Sequence, residues 1–130
     1  MKLRFETLRD LGAAMTPFNA FLFLQGLETL SLRMARTVEN AAAVARYLES
    51  NELASNVTYP GLPTSLYHPL VEKYLPGGAG AVFSFDCRGG REAGMHFIEG
   101  VTLWSHLANV GDAKSLLIHP GRTTTRHPHA

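Results

Sequence analysis

The chain has 130 residues, 45% of them hydrophobic and 18% charged, proportions ordinary for one compact domain. Twelve Lys+Arg against eleven Asp+Glu leave a formal net charge of +1. That balance excludes the basic footprint of a nucleic-acid binder and the polybasic run that holds a protein to an anionic membrane.

The N-terminal Met-Lys-Leu-Arg-Phe-Glu lacks the apolar core of a signal peptide. The first clear punctuation is Thr16-Pro17, a capping hydroxyl followed by Pro at the first helical position, which predicts a helix start. Over residues 18–32 the apolar side chains Phe18, Phe21, Leu22, Phe23, Leu24, Leu27, Leu30 and Leu32 lie almost all round that helix. A helix that is apolar on every side is expected to be covered by other protein. Asn19, Gln25, Gly26 and Glu28 make it too polar and too short to span a bilayer.

The pattern then changes. Met34, Val38, Ala41, Ala42, Ala45 and Leu48 recur at three- and four-residue steps, with Arg36, Glu39, Arg46 and Glu49 between them. This predicts an amphipathic, Ala-rich helix running to about Ser50. Shorter elements follow: a strand over 56–59 stopped by Pro60-Gly61, a helix over 69–74 closed by Pro76-Gly77-Gly78, and a strand over 81–85 ended by Gly89-Gly90. Residues 91–100 suit a helix with Ala93, Phe97 and Ile98 inward, and 102–106 and 115–119 are two further strand candidates. The expected fold class is α+β: a long helix, then a short, mainly antiparallel sheet with helices on one face. Residues 1–120 form the domain, and 121–130 a polar tail without an apolar anchor.

Most candidate chemistry reads as structure. His119, His127 and His129 lie near the end without a carboxylate or Cys to complete a ligand set, so no metal site is expected. His68, His96 and His106 fall on separate elements. Gly77, Gly78 and Gly80 precede a strand, whereas a phosphate loop follows one and opens a helix, so a tight turn is expected there. The lone Cys87 cannot close an internal disulfide and fits a reducing, cytoplasmic setting; Arg88 beside it is of the charge that lowers a thiol pKa, but a lone thiol is expected to be structural. The segment from His106 to Leu116 stands apart, because Asn109, Asp112, Lys114 and Ser115 put more hydrogen-bonding groups into one turn than a tight hairpin requires. It reads either as a solvated loop or as a binding turn.

Several segments form an ordered series: Leu8-Arg9-Asp10-Leu11-Gly12-Ala13, Thr16-Pro17-Phe18-Asn19-Ala20-Phe21-Leu22, Gln25-Gly26-Leu27-Glu28-Thr29-Leu30, Asn40-Ala41 with Val44-Ala45, Tyr59-Pro60-Gly61-Leu62-Pro63, His106 to Leu116, and Ile118-His119-Pro120. Over residues 8–120 they resemble the C-terminal domain of the O-acetylhomoserine sulfhydrylases, a branch of the Cys/Met-metabolism family of pyridoxal-phosphate enzymes.

The resemblance implies the small C-terminal domain of a fold-type I enzyme, with its first helix packed under a large cofactor-binding domain. It implies γ-replacement, in which acetate leaves O-acetyl-L-homoserine and sulfide adds to give homocysteine, with pyridoxal phosphate of the complete enzyme as electron sink. It places Asn109 at the substrate carboxylate and gives Ser115 a lesser substrate-binding role, holding the turn in shape. It assigns no catalytic, cofactor-binding or metal-binding residue to this chain. The partners implied are a small-molecule amino-acid substrate, the N-terminal cofactor domain and further copies in a homo-oligomer, with neither nucleic acid nor membrane.

Three departures bear on activity. The family's Schiff-base lysine lies in the large N-terminal domain, and Lys2, Lys73 and Lys114 are the only lysines here. The arginine that pairs with the substrate carboxylate lies in a later strand. After His119-Pro120 the family continues Ala-Ser-Thr-Thr-His, whereas this chain reads Gly121-Arg122-Thr123-Thr124-Thr125-Arg126-His127. Thr37 also stands where many relatives have His. The chain is therefore expected to be inactive alone. The turn Asn109-Val110-Gly111-Asp112 favours the sulfhydrylase branch over the cystathionine γ-synthase and γ-lyase branch, where Ser-Leu-Gly is commoner. A stand-alone, non-catalytic oligomerisation module is the other class.

Overall fold

The computed structural model describes residues 1–123. They divide into two compact units, Met1–Leu32 and the chain from Arg33 onward. In the first unit a π-helical segment, Leu3–Leu8, runs into a single α turn, α1 (Arg9–Leu11), closed by a left-handed Gly12. Helix α2 (Pro17–Glu28) starts as the sequence predicts: Thr16 is extended, Pro17 opens the first turn, and the Thr16 hydroxyl accepts the Asn19 N–H at 3.2 Å. That bond satisfies one of the orphan donors of the first turn. Its apolar side chains are open to solvent, Phe18, Phe21, Leu22, Phe23, Leu24 and Leu27 being 51–67% exposed.

The expected helix to Leu32 is in fact interrupted at Thr29, which leaves the helical region (φ −102°, ψ 2°). Helix α3 (Leu30–Glu49) begins directly after it. A one-residue break needs no Pro or Gly, so nothing in the apolar periodicity marks it. The change from an all-round apolar pattern to an amphipathic one comes a few residues later, inside α3.

In the second unit, α3 presents Ala41 and Ala45, 5% and 0% exposed, to Tyr59 and Leu62 at 1% and 2%. Ala42, Val57, Ala79, Ala81 and Phe83 pack around this core. Small side chains on the helix let its backbone approach closely, and the large Tyr59 fills the space that remains. Of the predicted stripe, Met34 stays 37% exposed. Thr37 turns its hydroxyl back to the Arg33 carbonyl at 2.7 Å, and Arg36 pairs with Glu39 at 2.9 Å on the open face.

Strand β1 (Ala54–Thr58) pairs antiparallel with β2 (Ser84–Cys87), in the register Ala54↔Cys87, Ser55↔Asp86 and Thr58↔Ser84. The ladder is irregular between Ser55 and Thr58, where Asn56 is left-handed (φ 48°) and its Nδ2 donates to Asp86 Oδ2 at 2.7 Å. Both strands lie off their predicted ranges. Pro60 has no N–H to give a ladder, so the chain before Ser84 is held differently. The Tyr59 hydroxyl donates to the Gly80 carbonyl at 3.0 Å, and the Tyr59 and Phe83 rings meet edge-on at 5.9 Å. The expected tight turn at the glycine run is present, with Gly78 N–H donating to Leu75 O at 2.9 Å.

Helix α4 (His68–Tyr74) starts one residue before its predicted range, and α5 is Gly90–Gly100. Ile98 is buried as expected, but Phe97 is 42% exposed and meets Phe85 edge-on at 5.7 Å from the rim. The two late strand candidates are not strands. A single parallel bridge joins Ser105 to Leu116, with Ser105 N–H donating to Ser115 O at 2.9 Å and Leu117 N–H to Ser105 O at 3.1 Å. Leu103 is 82% exposed, while Trp104, Leu116, Leu117 and Ile118 are half-buried without forming a ladder beyond this bridge.

The described sheet thus has two strands, antiparallel as expected, and the architecture is α+β. Of the predicted tail, residues 121–123 belong to the short helix α6 (Pro120–Thr123). The rest, with His127 and His129, lies outside the described residues.

Candidate functional site

The polar turn after His106 is built around Asp112. Its Oδ1 accepts the Lys114 N–H at 2.9 Å, and its Oδ2 accepts Asn109 Nδ2 at 3.1 Å. The Asn109 Oδ1 in turn accepts the Val110 N–H at 2.9 Å. Gly111 between them is left-handed (φ 77°), a conformation that carries the chain back so that Asp112 faces Asn109. Four residues of one short loop are thus linked by two backbone-to-side-chain bonds and one bond between side chains, the local pairing that Asn and Asp favour in turns.

The Lys114 N–H, the Asn109 amide and the Lys114 charge together hold the Asp112 carboxyl below the ordinary aspartate value. Asn109 is exposed, with one Nδ2 hydrogen committed to Asp112 and the second open to solvent. Ser115 is also exposed. It serves the turn through its carbonyl, which accepts from Ser105, and no hydrogen bond joins it to Asn109. The sequence marks Asp112 only as one polar group of the turn; its place at the centre of the network is what the structure adds, and the Asn-x-x-Asp-x-Lys spacing carries the signal of an Asx turn.

The remaining candidates are placed elsewhere. His68 lies 3.4 Å from the Pro60 carbonyl and 3.9 Å from Glu72. The His119 ring sits where a Cβ on Gly94 would come within 3.0 Å of it. Among the described residues no three His, Cys, Asp or Glu side chains are grouped to hold a metal ion. The Cys87 thiol pKa is raised, by burial and then by the neighbouring Asp86 charge, so Arg88 does not activate it and the thiol reads as structural.

The described residues do not themselves form a pyridoxal-phosphate site. A Schiff-base lysine needs an enclosing cavity, with groups for the pyridinium nitrogen and the phosphate. Lys2 pairs with Glu6 at 3.8 Å on the surface, Lys73 lies over the Tyr74 ring at 4.9 Å from its centre, and Lys114 is on the exposed turn. Two surface cavities, of about 380 and 330 Å³, are lined by residues of α3, β1 and Arg88 and by Asn19, Leu22 and Phe23; no lysine lines either.

Residues 1–129 match the family described as Cys/Met metabolism PLP-dependent enzyme. The chain belongs to this family. It is 52% identical over 121 residues to the homocysteine synthase of Schizosaccharomyces pombe, covering 93% of this chain and 28% of that protein. It is 49% identical over 125 residues to the O-acetyl-L-homoserine sulfhydrylase of Leptospira meyeri, covering 95% and 28%. Among solved structures it is similar to a putative O-acetylhomoserine (thiol)-lyase of Campylobacter jejuni, with a TM-score of 0.84 and 40% identity over 95% of this chain and 29% of that one. It is also similar to a cystathionine gamma synthase of Xanthomonas oryzae, with a TM-score of 0.79 and 36% identity over 88% and 30%. The chain spans less than a third of the length of these curated relatives. The Campylobacter structure contains a pyridoxyl-lysine phosphate, the family's cofactor bonded to lysine.

Proposed function

We propose that this chain is the C-terminal domain of a pyridoxal-phosphate-dependent sulfhydrylase that makes homocysteine from O-acetyl-L-homoserine and sulfide. The observation that carries this reading is the 49–52% identity, over nearly the whole chain, to proteins named homocysteine synthase and O-acetyl-L-homoserine sulfhydrylase. The Asn-Val-Gly-Asp turn favours this branch over cystathionine γ-synthase. When bound in the complete enzyme, the cofactor supplies the electron sink for the α-carbon. This chain supplies substrate orientation: the open N–H of Asn109 Nδ2 donates to the substrate carboxylate, and Ser115, through its carbonyl bond to Ser105, keeps the loop in place.

The single cysteine supports a cytoplasmic setting, and the exposed apolar surface of α2 supports a further domain or a second copy as its cover. The complete enzyme, incubated with O-acetyl-L-homoserine and either sulfide or cysteine, is expected to release acetate and form homocysteine with sulfide. Efficient formation of cystathionine from cysteine, with little turnover of sulfide, refutes the sulfhydrylase assignment.

A further inference from the structure

An amide that recognises a carboxylate has to present its nitrogen edge and keep its oxygen away. Rotation of the terminal group by half a turn exchanges the two ends and turns attraction into repulsion. At Asn109 the orientation is set from both sides. Val110 N–H can only donate, so the atom it meets at 2.9 Å has to be the amide oxygen. The ionised Asp112 carboxylate can only accept, so the atom it meets at 3.1 Å has to be the amide nitrogen. The two partners agree, and the second Nδ2 hydrogen is not used by the bond to Asp112. Asp112 is itself fixed by the Lys114 N–H on its other oxygen and by the left-handed Gly111 before it.

We propose that Asp112 is a positioning residue for Asn109, holding its side-chain amide in the orientation that binds a carboxylate-bearing amino-acid substrate. This rests on the reading above that Asn109 meets the substrate carboxylate. Asp112 does not touch the substrate. Its charge opposes a second carboxylate nearby, a repulsion that the fixed amide has to outweigh. Its benefit is preorganisation: without Asp112 only the Val110 N–H holds the amide, and the competent fraction falls by at most about sixfold, the limit for an Asn free in about three χ1 wells and both amide orientations.

The test is a double-mutant cycle in the full-length enzyme carrying this sequence, with O-acetyl-L-homoserine as the varied substrate and melting temperature followed in parallel. Asn109→Ala is expected to raise KM roughly tenfold. Asp112→Ala is expected to raise KM about three- to sixfold with kcat nearly kept, and to add nothing in the Asn109→Ala background. A readout on the unmutated chain accompanies it: the Asn109 side-chain NH2 resonances are expected to shift with the ionisation of Asp112. An equal KM increase from Asp112→Ala with and without Asn109 overturns the proposal, because Asp112 then acts on the loop alone. Unchanged KM in Asp112→Ala, with a raised KM in Asn109→Ala, overturns it and leaves the substrate site standing. Unchanged KM in Asn109→Ala removes the substrate site and the proposal together. NH2 resonances indifferent to the ionisation of Asp112 also overturn it.

Discussion

The hydroxyl of Tyr59, the largest fully buried side chain, donates to the carbonyl of Gly80 at 3.0 Å across 21 positions of sequence. This bond does what a ladder pair does elsewhere in the sheet. Pro60 has no N–H to offer, so a side chain ties the chain before β2 to the end of β1. The same ring fills the space beside Ala41 and Ala45 on α3.

Tyr59→Phe keeps the ring and removes the bond, leaving the Gly80 carbonyl without its donor. The expected loss is about 0.5–1.5 kcal/mol, read by denaturant unfolding. The pH dependence has a defined sign. Burial raises the Tyr59 pKa above the ordinary value of 10.0, with Arg46 opposing weakly. Below that value the hydroxyl is protonated in both states and its contribution is fully present. As pH rises past it the unfolded chain ionises first, and stability falls until native Tyr59 ionises too. Tyr59→Phe is expected to flatten that alkaline loss, and an unchanged alkaline slope counts against it.

Gly78 makes a second long-range contact that the sequence hides. Its φ is +121°, and a Cβ there would lie 2.6 Å from Val38 Cγ1. Gly78→Ala therefore meets two separate penalties, backbone strain of about 1–3 kcal/mol and a clash with α3. Val38→Ala relieves the clash and leaves the strain. The double variant is expected to be more stable than the sum of the two single losses implies, by a coupling of roughly 0.5–3 kcal/mol. Strict additivity in urea unfolding shows that Val38 does not crowd the site.

What could be read in advance was local. Thr16 and Pro17 fix the start of α2 because cap and first turn are adjacent in sequence. The Ala41, Ala45 face of α3 follows from three- and four-residue spacing. Strand limits could not be read, because Phe83 and Ser84 are told apart only by what Tyr59 and Pro60, more than twenty residues earlier, can offer. The segments 102–106 and 115–119 have strand-like composition, yet one bridge between Ser105 and Leu116 is all they form, and composition alone does not tell a bridge from a ladder. At the candidate site the residue types marked only a polar turn, and the roles of Asn109 and Ser115 came from the family resemblance. The part played by Asp112 emerged only once its two oxygens were seen on different donors.

Helix α2 exposes Phe18, Phe21, Phe23, Leu24 and Leu27 by more than half, and no charged residue stands between Asp10 and Glu28 to keep copies apart. A patch of this kind drives association in water. The chain at tens of micromolar is expected to sediment as oligomers, and Phe23→Lys combined with Leu24→Lys is expected to shift it toward monomer with its helical circular dichroism kept. A monomer at high concentration, without the substitutions, contradicts this.

The chain by itself is expected neither to form a stable aldimine with pyridoxal phosphate nor to turn over O-acetyl-L-homoserine. Each of its three lysines is at the surface. Lys2 faces Glu6, Lys73 covers Tyr74, and Lys114 rides on the turn through its backbone bond to Asp112. A surface amine does react with an aldehyde, but weakly and without preference. A cofactor lysine gains its occupancy from the groups that hold the phosphate and the ring, and an active site assembled from two domains gains little from one of them. After incubation with equimolar pyridoxal phosphate, borohydride reduction and peptide mapping, the label is expected to be substoichiometric and spread over the three lysines. Stoichiometric label at Lys114 alone, with an aldimine absorbance band, refutes this and makes the polar turn a cofactor site.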